Sequence, residues 1–430
     1  MVSVHNYLSE DAGLIQENSK AFLPPIALVP LKKNDSSDFE ILVKGNEIVK
    51  EGQVIARSLE TAIHASIPGK VLDIIETDFA DGSRGLAAKI KLEGSFSFTG
   101  KKNKVFDWKD LDQKTLLYIF SEKGVYNTFS KLTCLSSQIK KIEAKASRLL
   151  IVRLYSDDPS RLTEGLVSKF YFEMVKQGSF IIAKAMSANG ILFVADTNDK
   201  DKDFSYSDSD IPYEKIFIDS TAYPNGFMHE IIQATKKTCK DSPFNRISTE
   251  DLYIDCLTAL NAFNAVCFNE PVISSKVHLS GDCLNTAGFF DVKIGTTLKD
   301  LVAQAGGFKR PLSKIVINGI LLGLSVSNLN IPVSKEVKSV AFIPKENLPD
   351  QIEQVCVRCG ECLKICPVSL FPESLYRSYI HKESYENNLA LIRQTAALCT
   401  ECALCNSVCP SRIPLSQIIA KLKMEKTYEK

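Results

Sequence analysis

The chain has 430 residues, 45% hydrophobic and 24% charged, and its 52 Lys and Arg against 51 Asp and Glu leave a formal charge of +1. At roughly 150 residues per domain, that length holds about three or four domains. The composition excludes a disordered or wholly membrane-embedded chain, and the balanced charge supplies no field to hold nucleic acid or an anionic bilayer. Thirteen cysteines are unevenly placed: five lie between Cys134 and Cys283, and eight crowd between Cys356 and Cys409. That distribution excludes a uniform disulfide scaffold.

The opening Met1-Val-Ser-Val-His-Asn-Tyr7 carries neither the basic nor the apolar region of an export signal. A reducing compartment is therefore expected, where clustered cysteines serve as metal or redox ligands. Residues 22–100 read as short strands around glycine turns, first Leu42 to Ala56 with Gly45 and Gly52, then Ala62 to Leu72 with Pro68-Gly69. The pattern is similar to the barrel-sandwich fold of biotinyl and lipoyl domains. The hairpin tip where a carrier needs its lysine reads Glu60-Thr61-Ala62, so a fold without a prosthetic group is expected.

Over 105–270, strand-like runs (Leu149–Leu154, Phe180–Ala183, Gly190–Ala195, Lys215–Asp219) alternate with helix candidates at Leu162–Gln177 and Thr249–Ala265. Such alternation predicts a mainly parallel sheet flanked by helices. The acidic stretch Asp199–Asp210 has Phe204 where a calcium loop wants glycine and Asp210 where it wants glutamate, so a solvated loop is expected. Residues 271–345 return to short strands, with one helix over Thr297–Ala305 stopped by Gly306, a compact β-grasp-like pattern. Ile315–Val333 carries no charge, yet three asparagines, two glycines and Pro332 favour strands and turns over a membrane span. The remainder, 346–430, reads as helical around the cysteine clusters.

Those clusters carry the chemistry. The chain reads Cys356-Val-Arg-Cys359-Gly-Glu-Cys362-Leu-Lys-Ile-Cys366-Pro367, and again Cys399-Thr-Glu-Cys402-Ala-Leu-Cys405-Asn-Ser-Val-Cys409-Pro410. Three cysteines at two-residue spacing wrap one face of a [4Fe–4S] cubane, and the fourth, before proline, reaches the neighbouring cluster. Two tandem copies predict swapped ligation: Cys356, Cys359, Cys362 and Cys409 for one cluster, Cys366, Cys399, Cys402 and Cys405 for the other. Zinc sites draw their cysteines as separated pairs rather than triplets with a fourth Cys-Pro. The five other cysteines have no ligand spacing and are expected as buried small hydrophobes. The five histidines form no paired pattern, and no nucleophile elbow, phosphate-binding P-loop or dinucleotide glycine motif is present.

In this order the residues resemble the C subunit of Rnf-type ion-translocating electron-transport complexes, ferredoxin:NAD oxidoreductases, along nearly the whole chain. The matching pieces are Val29-Pro-Leu31 with Val49-x-x-Gly52-Gln53, Tyr223-Pro-x-Gly226, and Val277-x-x-x-Gly281 with Ile294-Gly-Thr296. Asn318-Gly-x-x-x-Gly323, Ile331-Pro-Val-x-Lys335, both cysteine runs and Pro410-Ser-x-Ile-Pro-Leu415 follow. The resemblance implies a multidomain α/β plus β chain. Its order is a barrel-sandwich hybrid (22–100), an α/β domain like the complex I flavin subunit (105–270), a β-grasp domain of the SLBB kind (271–345) and an α-helical two-cluster ferredoxin domain (346–430).

It also implies partners: the other subunits of a membrane redox complex, with ferredoxin or NADH on the donor side, and a place on the cytoplasmic inner face without a span of its own. One departure stands out. The family's glycine-rich FMN loop maps to Lys123-Gly124-Val-Tyr-Asn-Thr128-Phe-Ser-Lys131, where only Gly124, Thr128 and Lys131 correspond. Its acidic motif maps near Arg153–Pro159, where Asp158 and Pro159 correspond. FMN and NADH are thus implied by the resemblance, while Val125 and Tyr126 stand where amides must approach a phosphate and argue against them.

The expected function is transfer of single electrons through two [4Fe–4S] clusters, with the α/β domain as a degenerate NADH/FMN input or a docking scaffold. A soluble adaptor resembling cobalamin reductases and a structural module with a metal-stapled tail are the rivals.

Overall fold

The structure is a computed structural model that describes residues 2–3, 15, 19–33, 39–94, 106–142, 148–206, 210–345, 353–381 and 389–424. Near the start, strands Ile26–Lys33, Arg84–Leu92, Gly69–Asp78 and Ile48–Val49 form an antiparallel sheet. It faces a second sheet of Glu40–Ile41, Val54–Arg57 and Ala62–His64. Alternation puts Ala27, Val29, Leu31, Ile55, Val71, Ala88 and Ile90 in one buried core. The tip of the second sheet is pinned to the next unit: the Glu60 carbonyl accepts from Ser121 Oγ at 2.7 Å and Cys134 Sγ at 3.1 Å. Arg57 adds a two-pronged ion pair to Glu122 at 2.7 and 2.9 Å.

The central unit is a parallel sheet in the order Tyr213–Ile218, Gly190–Asp196, Leu149–Arg153, Leu252–Asp255. Every residue of Leu149–Arg153 and Gly190–Asp196 is buried, as strands covered on both faces require. One face packs on helices Phe172–Ala185 and Cys256–Cys267, the other on Met228–Thr238. Three expectations are corrected here. Phe180–Ala183 is the middle of a helix rather than a strand, because a short apolar run reads alike in a buried helix and a buried strand. The helix expected over 162–177 is interrupted at Tyr171, whose φ of −128° separates Thr163–Phe170 from Phe172–Ala185. The helix expected over 249–265 begins only at Cys256, and Leu252–Asp255 supplies the sheet's fourth strand.

In the acidic stretch, residues 207–209 lie outside the described residues. The part described is less solvated than expected, since Phe204 is buried and Lys176 Nζ donates to the Asp203 and Ser205 carbonyls at 3.2 and 3.0 Å.

A mixed six-stranded sheet follows, ordered Ser19–Lys20, Gly288–Lys293, Ser274–Ser280, Ser339–Pro344, Leu312–Ile317, Leu324–Val326. Thr297 caps the helix Leu298–Gln304 through a reciprocal capping box with Asp300, and Gly306 at φ +79° ends it. The uncharged Ile315–Val333 segment is strand and turn. Among the described residues, no helix is long and apolar enough to cross a membrane. Cys134, Cys239, Cys256, Cys267 and Cys283 are all buried. The tail consists of short helices, Glu361–Ile365, Pro372–Ile380, Leu389–Ala397, Leu404–Ser407 and Leu415–Met424.

Candidate iron–sulfur centres

The two cysteine runs fold alike. In each, the residue before the second cysteine takes a left-handed backbone (Arg358 φ +55°, Glu401 φ +60°), as does the residue after it (Gly360 φ +76°, Ala403 φ +58°). These two reversals curl the triplet into a loop, and a short helix then carries the third cysteine, Cys362 or Cys405. A third left-handed residue, Ser369 or Arg412, turns the chain after the Cys-Pro pair. Outside glycine such backbone is uncommon, so five non-glycine residues and Gly360, in three matched pairs, mark a geometry imposed by what the loop encloses.

What it encloses is a recess. One is lined by Cys356, Cys359 and Cys362 from the first run and Cys409 from the second. The other is lined by Cys399, Cys402 and Cys405 from the second run and Cys366 from the first. Ile413 and Leu415 wall the first together with Arg358 and Glu373, and the rest of the second is mainly apolar, with Leu370, Leu404 and Ile419. Backbone N–H groups already point at sulfur: Leu370 N donates to Cys366 Sγ and Glu401 N to Cys399 Sγ, each at 3.3 Å. Burial raises the thiols of Cys362, Cys399 and Cys402, and burial beside Cys402 and Cys399 pushes Cys405 up to about 12. Loading either recess therefore displaces thiol protons. Among the described residues, no three His, Cys, Asp or Glu side chains converge on a single-ion position. The thiols surround a space, which suits a polynuclear cluster better than one zinc ion with sulfurs at about 2.3 Å.

The flavin-loop positions are placed very differently. Thr128 is buried, its hydroxyl donating to the Asp255 carboxylate at 2.8 Å and its amide to Thr258 Oγ1 at 3.0 Å. The amides of Gly124, Val125 and Phe129 are spent on Ser121 O, Phe120 O and Asn127 Oδ1. Gly124 has a reason of its own to be glycine. At φ +67°, a Cβ there would lie 2.6 Å from both the Ala62 carbonyl and Lys335 Nζ, so it accommodates the barrel-sandwich tip. Lys131 is exposed. A phosphate needs free amides and unspent positive charge, and here the loop's amides are already bonded and Lys335 Nζ donates to the Gly124 carbonyl at 2.7 Å. Asp157, Glu164 and Asp255 meet Arg153, Arg161 and Lys338 in one largely buried network. These residues do not fit an FMN phosphate.

Sequence reasoning missed that network, which also ties the central unit to the mixed sheet. Lys338 donates to Asp255 at 2.5 Å, to Glu164 at 2.9 Å and to the Thr128 carbonyl at 2.7 Å. Asp158 accepts from the amides of Leu321 and Leu322, both at 2.9 Å. Burial alone would push these carboxyls up, but Arg161, Lys338 and Arg153 hold Glu164 well below the usual range, and Lys338 does the same for Asp255. From this network the Tyr223-Pro-Asn-Gly226 turn leads to the clusters. Arg153 Nη1 donates to Gly226 O at 2.6 Å, Tyr155 Oη to Asn225 O at 3.0 Å, and Tyr223 Oη to the Cys402 carbonyl at 2.6 Å.

Comparison with known proteins agrees with this layout. Residues 8–95 match the family described as the RnfC barrel sandwich hybrid domain, 276–318 the SLBB domain, and 353–413 the 4Fe-4S dicluster domain. The chain is similar to the C subunit of the proton-translocating ferredoxin:NAD(+) oxidoreductase complex of Clostridium ljungdahlii, 26% identical over 82% of this chain and 78% of that one. It is likewise similar to the C subunit of the ion-translocating oxidoreductase complex of Buchnera aphidicola, 24% identical over 89% and 80% of the two chains. The corresponding protein of Rhodobacter capsulatus is 23% identical over 82% and 69%. Among solved structures, an NAD+-reducing [NiFe]-hydrogenase overlaps 73% of this chain and 62% of its own, at 14% identity and a TM-score of 0.48.

Proposed function

We infer that this chain, a homologue of the C subunit of Rnf-type ion-translocating oxidoreductase complexes, is the electron-transfer subunit of such a complex and carries two [4Fe–4S] clusters. One observation carries the reading: each recess takes three cysteines from one run and its fourth from the other. Interleaving of that kind belongs to two-cluster ferredoxin modules and brings the clusters close enough for single electrons to pass between them. Cys356, Cys359, Cys362 and Cys409 would hold the first cluster, and Cys366, Cys399, Cys402 and Cys405 the second. The clusters supply one-electron chemistry; the chain supplies thiolates, N–H groups aimed at sulfur and apolar walls that keep water out.

The four units divide at about 22–100, 105–270, 271–345 and 346–430. The second resembles a complex I flavin subunit in outline and the third is β-grasp. With its phosphate loop closed, the α/β unit serves as a scaffold that holds the cluster module rather than as an NADH or FMN input. The subunit is peripheral, held on the cytoplasmic side through partner subunits, and exchanges electrons with NAD- or ferredoxin-side donors.

Anaerobic purification tests this. About eight irons per chain and a broad absorbance near ~400 nm that dithionite bleaches are expected. Colourless protein with stoichiometric zinc would sink the reading. Cys409→Ser should remove the cluster of the first triplet and Cys366→Ser that of the second. Loss of each variant's own-run cluster instead would overturn the swapped assignment.

A further inference from the structure

The two cysteine runs match in backbone, so the differences around them are informative. Cys356 and Cys359 correspond to Cys399 and Cys402. The first recess is turned to solvent. Cys359 is the one exposed cysteine of the thirteen, and beside it Val355 and Val357 are 86% and 68% exposed. Its charges are of both signs. Arg358 and Glu373 share the lining, and Glu353 and Arg412 are exposed nearby. Glu373 pairs with Arg377 at 2.7 Å and Glu361 with Lys364 at 2.6 Å. Among the described residues, no side chain donates to the Cys356 or Cys359 carbonyl; the nearest such bond, from the Ser411 hydroxyl, goes to Val355 O at 2.9 Å.

The second recess faces the body of the protein, with Cys402 buried beside Tyr223 and Leu404, against which Phe227 and Leu321 pack. Here side chains engage both corresponding carbonyls. Tyr223 Oη donates to Cys402 O and Lys423 Nζ to Cys399 O, each at 2.6 Å. Lys423 lies in the last turn of Leu415–Met424 and also meets Glu401 at 2.6 Å. The lysine side chain is 21% exposed and that of Glu401 52%, so water screens the anion more than the cation. Both N–H···S bonds, from Leu370 to Cys366 and from Glu401 to Cys399, belong to this recess as well. Reduction adds negative charge to a cluster, so donors and cations aimed at it raise its potential, while loss of water lowers it. In the second recess the two effects oppose each other. Burial withholds water from the reduced state, but it also unscreens the cation, whose pull at an effective dielectric near ~20 is about fourfold that in water. The mixed charges of the first recess stay exposed to water and salt, which screen them.

We propose that Lys423 is a positioning residue for electron transfer. Acting through the Cys399 carbonyl, it holds the second cluster at the higher reduction potential, so that an electron in the module comes to rest in the inner recess. The proposal rests on the cluster reading above. One electron leaves the first cluster, which is oxidised, and enters the second, which is reduced; no bond forms or breaks.

The test is a redox titration of the full chain loaded with iron and sulfide, followed by electron paramagnetic resonance. Cys409→Ser, which lacks the first cluster, assigns the signal of the second. In the wild-type chain the second cluster should be reduced first. Lys423→Gln should lower its midpoint by about 59 mV or more, a tenfold change in a one-electron equilibrium, with iron content and the first cluster unchanged. Lys423→Arg should keep the wild-type value. Glu401→Gln, which frees the ammonium of its counter-charge, should raise it. Lys421→Gln removes a cation two residues away that bonds Tyr379 instead, and should leave both midpoints in place. If Lys423→Gln loses iron, Glu401→Gln and the wild-type order of reduction decide the matter. A first cluster reduced before the second, or a loaded Lys423→Gln or Glu401→Gln with an unmoved midpoint, overturns the proposal alone. So does an arginine variant that falls as far as the glutamine one. A chain that takes up no iron overturns both this proposal and the function it rests on.

Discussion

Lys338 lies one residue before the strand Ser339–Pro344, yet its ammonium reaches out of that sheet to Asp255 and Glu164, both fully buried. Removing it leaves the buried Asp255 without its cation and takes one of two from Glu164, which keeps Arg161. Lys338→Met is expected to cost about 3–5 kcal/mol, read as a lower denaturant midpoint; a change within about 1 kcal/mol would mean solvent reaches the network. The pH behaviour follows from the same residues. Glu164 and Asp255 are held below the usual carboxylate range, so the stability they give is present above about pH 4 and lost as pH falls below it.

His278 adds a term at higher pH. Burial lowers it to about 4, and neither ring nitrogen has a hydrogen-bond partner among the described residues. It must stay neutral to remain folded, so its contribution is complete above pH 6.5 and lost as pH falls towards 4. His278→Leu should therefore stabilise the chain by about 1–2 kcal/mol at pH 7, and by more at pH 5. Equal acid-unfolding midpoints for the two proteins would refute this.

At the scale of elements, two helical glycines make opposite predictions. Gly178 lies in Phe172–Ala185 where it crosses Cys256–Cys267, and a Cβ there would sit 2.0 Å from the Ala259 carbonyl oxygen. Gly165 lies in Thr163–Phe170 with nothing within 4 Å of an added Cβ. Helix propensity alone favours alanine by about 1 kcal/mol at both sites. Gly165→Ala should follow it and raise the thermal midpoint. Gly178→Ala should lower the midpoint, because the helices must separate to admit the methyl group. Two stabilised variants would show that the helix crossing is looser than described. The same crossing explains the misread Phe180–Ala183 run. That helix is buried almost all round, so it lacks the polar face by which periodicity separates helix from strand.

Across the whole molecule, the Tyr223 turn is where the cluster module meets its scaffold. Tyr223→Phe keeps the ring packed against Cys402 and Leu404 and removes only the bond to the Cys402 carbonyl. Without that donor, the reduced, more negative state of the second cluster is less stabilised. Its reduction potential should fall while iron content and the first cluster stay unchanged, as redox titration followed by electron paramagnetic resonance would show. Equal shifts in both clusters would point to general loosening of the module. The arrangement gives the molecule a direction, with one recess seated against the α/β unit and the other turned to solvent.

The sequence by itself determined the two clusters, because cysteine spacing encodes the curvature of a short loop and such geometry is local. It also showed that Val125 and Tyr126 stand in the stretch that aligns with the family's glycine-rich loop, whatever surrounds them. The helix Leu298–Gln304 and three of the four parallel strands were legible for the same reason: capping residues and apolar runs act within a few positions. Only the tertiary structure decided how the residues around Thr128 are paired and which recess faces out. Those answers rest on contacts such as Lys338 to Asp255, 83 residues apart, and Tyr223 to Cys402, 179 apart. Pairs so distant leave no period in the sequence, and each partner alone reads as an ordinary lysine, aspartate or tyrosine. Burial gives them meaning, since a charge or hydroxyl removed from water must find its partner within the fold.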